Sequence, residues 1–221
     1  MEDGNLDQWI SLLDKKPDIN DFIKKTQINP ETIPILHEIT DMDNGTARYY
    51  SEKIIRRISE MNPLLQYPYF SDIANMIKYE NSFIRWGAII TISNLVSADD
   101  ANKFDEIYEE YFSLINSASM ITAGNVIGCS WKIVLKYPLY EEDITNRLLK
   151  VVDYIYFNKG KPSPECRNII IGKVLDSFEK YFKMSGSKSR MIDFAESQTE
   201  NTRKTVARKA ADFFEKHSQE V

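Results

Sequence analysis

Asn81-Ser82-Phe83-Ile84-Arg85 leads into Ala88, Ile89, Ile92, Leu95 and Val96, a polar cap followed by apolar residues at helical spacing. Offsets of three, four, seven, ten and eleven from the arginine trace one face of an α-helix. The asparagine in front offers a side-chain oxygen to a backbone N–H that would otherwise lack a partner. The arrangement recurs. Ser163-Pro164-Glu165-Cys166-Arg167 precedes Ile170, Ile171, Val174 and Phe178, and Thr199-Glu200-Asn201-Thr202-Arg203 precedes Val206, Ala207, Ala210, Phe213 and Phe214. A copy from Ser119 has Ala123 in the arginine place, then Val126, Ile127, Ile133 and Val134. The copy from Asn44 to Arg48 continues with Ile55 and Ile58 and matches least well, because Ser51 and Glu52 stand where apolar residues belong.

The starts at 44, 81, 119, 163 and 199 give steps of 37, 38, 44 and 36 residues. Before each lies a second amphipathic stretch: Glu31 to Asp41, Tyr69 to Tyr79, Lys103 to Ile115, Glu142 to Ile155 and Lys188 to Ser197. Two helices per step with no alternating strand pattern predict an all-α chain. The expected form is a right-handed αα superhelix of about five helical hairpins, a single solenoid domain over residues 1–221. Residues 1–29 read as an N-terminal helical cap, with Leu6, Trp9, Ile10 and Leu13 on one short helix and Ile19, Phe22 and Ile23 on the next. Residues 30–217 hold the repeats. The extra length of the fourth step falls in Asn158-Lys159-Gly160-Lys161-Pro162, a loop between its two helices.

The second, or B, helix of each step resembles that of HEAT repeats, most closely in Phe83-Ile84-Arg85 with Ala88 and in Cys166-Arg167 with Ile170. The resemblance implies a non-catalytic scaffold that binds a protein or peptide on a concave surface lined by B helices. Positions one and eight after the arginine would face that surface: Tyr49, Trp86, Gly124, Asn168 and Lys204, then Arg56, Ser93, Trp131, Leu175 and Ala211. The partner-binding candidates are Tyr49, Trp86, Trp131, Asn168, Lys204 and Arg208, with the basic Arg203, Lys204, Arg208 and Lys209 suiting an acidic partner; packing between repeats is the other use for the tryptophans. In HEAT repeats the arginine commonly pairs with an acidic residue of a neighbouring turn, yet no Asp stands at a fixed offset before each arginine here. Gly87, Gly124, Gly128 and Gly172 fall inside B helices, where each costs about 1 kcal/mol against alanine. They call for room, either for close packing of stacked units or for a ligand.

Composition narrows the function further. Of 221 residues, 43% are apolar and 28% charged, and the net charge is −5. Residues 1 to 46 carry ten Asp or Glu against four Lys, net −6, so the remainder sums to +1. A dedicated nucleic-acid binder would normally carry a basic excess, which argues against that partner. There is no eighteen-residue apolar run, and the start is acidic where a secretory leader would be basic, so the expectation is a cytoplasmic protein without a membrane segment. Cys129, Cys166, His37 and His217 show no zinc spacing, and no cofactor or metal site is expected. The cysteines read as buried small apolar residues. Asp41, Asp43 and Glu52 take positions one, three and twelve of a calcium loop, but Gly45 replaces the fifth ligand and Thr46 the turn glycine. Catalytic motifs are missing. The alternative reading is a HEAT-like DNA-repair glycosylase for alkylated purines, with Trp86 and Trp131 stacking on the base and Arg85 or Lys132 on phosphate. It would also need a carboxylate in the groove.

Overall fold

A computed structural model describes residues 6–28, 31–42 and 45–219, without the side chains of 25–28. The acidic Met1–Asn5 start, Asp43 and the Asn44 cap lie outside the described residues. In chain order the helices are α1 (Leu6–Asp14), α2 (Ile19–Ile28), α3 (Thr32–Asp41), α4 (Thr46–Met61), α5 (Pro63–Gln66), α6 (Phe70–Met76) and α7 (Ser82–Leu95). They continue as α8 (Lys103–Ser113), α9 (Met120–Lys136), α10 (Glu141–Leu149), α11 (Pro164–Tyr181), α12 (Lys188–Ser197) and α13 (Lys204–His217). The chain falls into two compact units, Met1–Phe104 and Asp105–Val221.

Local chemistry sets the helix starts. The Asn81 side chain accepts from the Phe83 and Ile84 N–H groups at 3.1 and 3.3 Å and opens α7. Ser119 accepts from Thr122 N–H to open α9, and Ser163, ahead of Pro164, accepts from Cys166 N–H to open α11. Such caps are each worth about 1 kcal/mol. The last B helix behaves differently. Thr199 donates back to the Glu196 carbonyl, Asn201 accepts from Arg203 N–H, and α13 begins at Lys204, with Arg203 at its cap position. The sequence places that start at Thr199. The loop at 158–162 also differs, closing a small antiparallel hairpin of β1 (Phe157–Asn158) and β2 (Lys161–Pro162). Lys159 and Gly160 turn it with φ of 51° and 75°, the left-handed pair that tight hairpins demand.

In the first unit α4 packs against α1, α2, α3, α5 and α7, while α6 covers α7. Leu13, Leu36, Ile39, Ile54, Ile58, Ile84, Ile89 and Ile92 are fully buried between them. Each such side chain stabilises by roughly 1.5–3 kcal/mol relative to exposure. The polar Ser51 is also buried, with its hydroxyl donating to Leu36 O at 2.8 Å, which removes the conflict with an apolar position. His37 donates through Nε2 to Gln66 Oε1 at 2.9 Å and stacks on Tyr69. Asp99 is fully buried at the start of α8, accepting from Lys103 N–H, Phe104 N–H and the Tyr67 hydroxyl. Burial and that carboxylate push the Tyr67 phenol up to about 12.

The second unit repeats the plan, α9 on α11, then α11 and α12 on α13. Its core holds Ala123, Val126, Ile127, Val134, Ile170, Val174, Phe178 and Ala210. Cys129 and Cys166 are buried free thiols. The buried Glu141 joins α10 to the turn before α12, accepting from Thr145 and Ser185 hydroxyls at 2.9 and 2.5 Å, from Gly186 N–H and, at 3.5 Å, from Ser187.

In three of the repeats the arginine has a backbone partner. Arg48 donates to Thr40 O, Arg85 through Nε and Nη2 to Tyr79 O, and Arg167 to Val152 O. Each carbonyl lies at or just past the end of the preceding helix, where C=O groups lack helical partners and the dipole is negative.

Candidate functional site

Two B-helix faces carry the candidate residues, one in each unit. On the first, α4 presents Tyr49, Glu52 and Arg56, and α7 presents Phe83, Trp86 and Gly87. Residues three or four apart on a helix share a face, so Tyr49 and Glu52 rise together beside Phe83 and Trp86. Tyr49 and Phe83 meet edge to face at 5.8 Å, and Phe83 meets Trp86 at 5.3 Å. Asn81 donates from Nδ2 to the Tyr49 hydroxyl at 2.9 Å and fixes that ring. Phe83 is 65% exposed and Tyr49 43%, whereas Trp86 is half-buried.

Gly87 explains how Glu52 fits here. A Cβ on Gly87 would stand 1.8 Å from Glu52 Oε1. The glycine therefore makes room for a neighbouring side chain. Arg56 donates to Glu52 at 2.9 Å, yet burial outweighs it and holds the carboxyl above the ordinary 4.5. Arg85, the phosphate-binding candidate of the glycosylase reading, points its Nε and Nη2 at the Tyr79 carbonyl.

On the second face, α9 carries Gly124, Gly128 and Trp131, and α11 lays Lys173 across both glycines. Its Cδ and Cε would lie 3.0 Å from a Cβ on Gly124, and Nζ 4.0 Å from one on Gly128. Trp131 is half-buried with Lys132 Nζ 5.7 Å from its ring centre. Gly172 makes room for Val206 of α13 in the same way.

Asn168 does not stand open on this face. It is buried, donates to Thr202 Oγ1 at 2.9 Å and accepts from Asn201 at 3.3 Å, so its amide anchors the turn before α13. Leu175 and Ser93 are buried too, because their B helices turn those positions inward. Of the four basic residues near α13, Arg203 pairs with Glu165, and Lys209 pairs with Asp176 at 2.6 Å while also donating to Gly172 O. Lys204 and Arg208 are exposed. The basic run is thus half neutralised by α11 carboxylates, a charge balance that the run alone does not reveal. Phe83 is the residue missed by the sequence reading; its one signal is an apolar side chain a residue before the core stripe that starts at Ile84.

Hairpins stacked through their B helices, three of them closed by an arginine, define an all-α helical-repeat fold of the solenoid class. Among solved structures the chain is similar to a designed armadillo repeat protein, with a TM-score of 0.54 and 15% identity over 89% of this chain and 86% of that one. At that identity the likeness concerns the fold alone. No protein-family model and no curated protein sequence matches the chain. Among the described residues, no helix is long and apolar enough to cross a membrane.

Proposed function

We propose that the protein is a non-catalytic helical-repeat scaffold that binds a protein or peptide through its B-helix faces. The observation that carries this reading is the Tyr49–Phe83–Trp86 cluster, whose first two rings are open to solvent without any folding need for exposure. Aromatic side chains dominate the energetics of protein interfaces, since they bury large area at small entropic cost. Trp131, Lys204 and Arg208 form the secondary candidates in the second unit. The repeat fold supports the reading, as such folds offer extended surfaces built from successive units.

The test is co-purification from source-cell extract with wild type, Tyr49→Ala/Phe83→Ala and Trp131→Ala, each checked by circular dichroism. A protein partner lost with Tyr49 and Phe83 while helicity is kept is the expected result. Excision of an alkylated purine from a duplex by the purified wild type would replace this reading with the repair enzyme.

A further inference from the structure

The longest repeat step, 44 residues against 36 to 38 in the others, uses its extra length to build a cleft. Where the residues leading into β1 meet the end of β2 and the first turn of α11, a cavity of about 130 Å³ opens. Tyr154, Ile155, Tyr156, Pro162 and Pro164 line it with ring and aliphatic surface, and Ser163 and Arg167 are its polar members. An apolar cavity of about 150 Å³ takes one benzene ring, so this one suits a group of about that size. Its walls are pinned by the fold. Ser163 N–H donates to Tyr156 O at 2.8 Å, Phe157 N–H to Ala118 O at 3.0 Å, and the buried Tyr156 hydroxyl to Ile115 O at 2.9 Å. A cleft already held in shape loses little freedom when it is filled. Ile155 lines it yet stays 60% exposed, so part of its apolar surface is uncovered.

Arg167 supplies the charge. Arg85 gives Nε and Nη2 to its carbonyl, whereas Arg167 gives only Nη1, to Val152 O at 3.2 Å. Among the described residues no carboxylate pairs with Arg167; Glu165, the acid in the first turn of α11, pairs with Arg203 instead. From Lys150 to Arg167 the chain holds four Lys or Arg against Asp153 and Glu165, net +2. A half-buried guanidinium with N–H groups to spare matches the two oxygens of a carboxylate.

We propose that this cleft binds a carboxylate carried on a small apolar group, the acid on Arg167 and the apolar group against Tyr154, Ile155 and the two prolines. Such a group is either the C-terminal residue of a peptide or a free organic acid. The site lies in the second unit and draws on none of the Tyr49–Phe83–Trp86 face, so its failure would leave that reading standing.

Amide NMR spectra of the full chain, titrated with benzoate, test it. Benzoate should shift the Tyr156, Ser163 and Arg167 amide signals with a Kd of about 1 mM, as suits so few atoms. Benzamide, the same ring without the charge, should bind about tenfold more weakly, and so should benzoate to Arg167→Gln or Ile155→Glu. Ile155→Glu sets a like charge at an exposed position, so it decides the matter where Arg167→Gln fails to fold for want of its bond to Val152. A peptide ending in phenylalanine separates the two sources. Held at least as tightly as benzoate, it names a chain terminus; held more weakly, it leaves a small organic acid. The proposal is overturned if either amide, benzamide or the amidated peptide, binds as well as its acid. Inorganic phosphate that displaces benzoate at equal concentration overturns it too, as do shifts that map elsewhere or are absent.

Discussion

The two B-helix faces solve one packing problem with opposite charges. At Gly87 the crossing side chain is a carboxylate, Glu52, supported by one arginine; at Gly124 and Gly128 it is the stem of Lys173. A lysine can lie across glycines and still lift its ammonium into water. A glutamate is too short for that, so its charge stays where the glycine admits it. The same device therefore yields an inert seam in one unit and an electrostatically unsettled spot in the other, next to exposed rings.

The largest effect that sharpens this contrast separates two poorly exposed glutamates, Glu141 and Glu52. Glu141→Ala removes the acceptor of three hydroxyls and one N–H in the second unit and should cost about 3 kcal/mol in urea unfolding. Glu52→Ala should cost under about 1 kcal/mol, because the lost Arg56 pair is offset by relief from desolvation. Equal costs would break the contrast. Next come the glycines. Gly87→Ala should destabilise by roughly 1–3 kcal/mol through overpacking, and adding Glu52→Ala should recover most of it. Gly124→Ala should be neutral or stabilising by up to about 1 kcal/mol, since the lysine stem can shift.

Two groups of the first unit give it a pH response of its own. His37 is held below its ordinary 6.5 chiefly by burial, opposed by its Gln66 hydrogen bond and by Asp72 and Asp41. Below 6.5 the unfolded chain takes the proton first, so His37 makes stability fall as pH drops. Glu52, held high, works the other way: its folded form keeps the proton longer, so its contribution declines as pH rises above 4.5. Melting curves of His37→Gln should thus lose part of the acid sensitivity, and those of Glu52→Gln part of the decline on the rising side. A wild-type profile unchanged by His37→Gln would remove the histidine from this account. The smallest effects lie at the α11–α13 seam. Lys216→Ala or Arg203→Ala, each removing an exposed pair with Glu179 or Glu165, should cost under about 1 kcal/mol and less in high salt.

Much of the architecture can be read in the sequence because the helix period and its caps are local. Asn81, Ser119 and Ser163 stand directly before the apolar stripes they open. The α13 start escapes such reading because Thr199 and Asn201 find partners in the preceding turn, and several polar residues in a row offer competing caps. The site is less legible. Tyr49 and Trp86 follow from position along the repeat, whereas the Glu52–Gly87 contact joins residues 35 apart whose approach no local pattern encodes. Asn168 shows the converse, as a position facing outward by periodicity was drawn inward by Asn201 and Thr202. The arginine's partner stayed hidden for a simpler reason: a backbone carbonyl leaves no mark in the residue string.

That carbonyl has a consequence for how such a chain changes length. Arg48, Arg85 and Arg167 each close a bond inside their own hairpin, from a B helix back to the end of its A helix. The charged links between hairpins, such as Asp176 to Lys209, involve side chains on the outer parts of the seam. A hairpin can thus be duplicated, deleted or swapped for another with its arginine bond intact, and only the residues at its two contact surfaces need to be refitted. The bond travels with the module, because the acceptor is present whatever residue stands there.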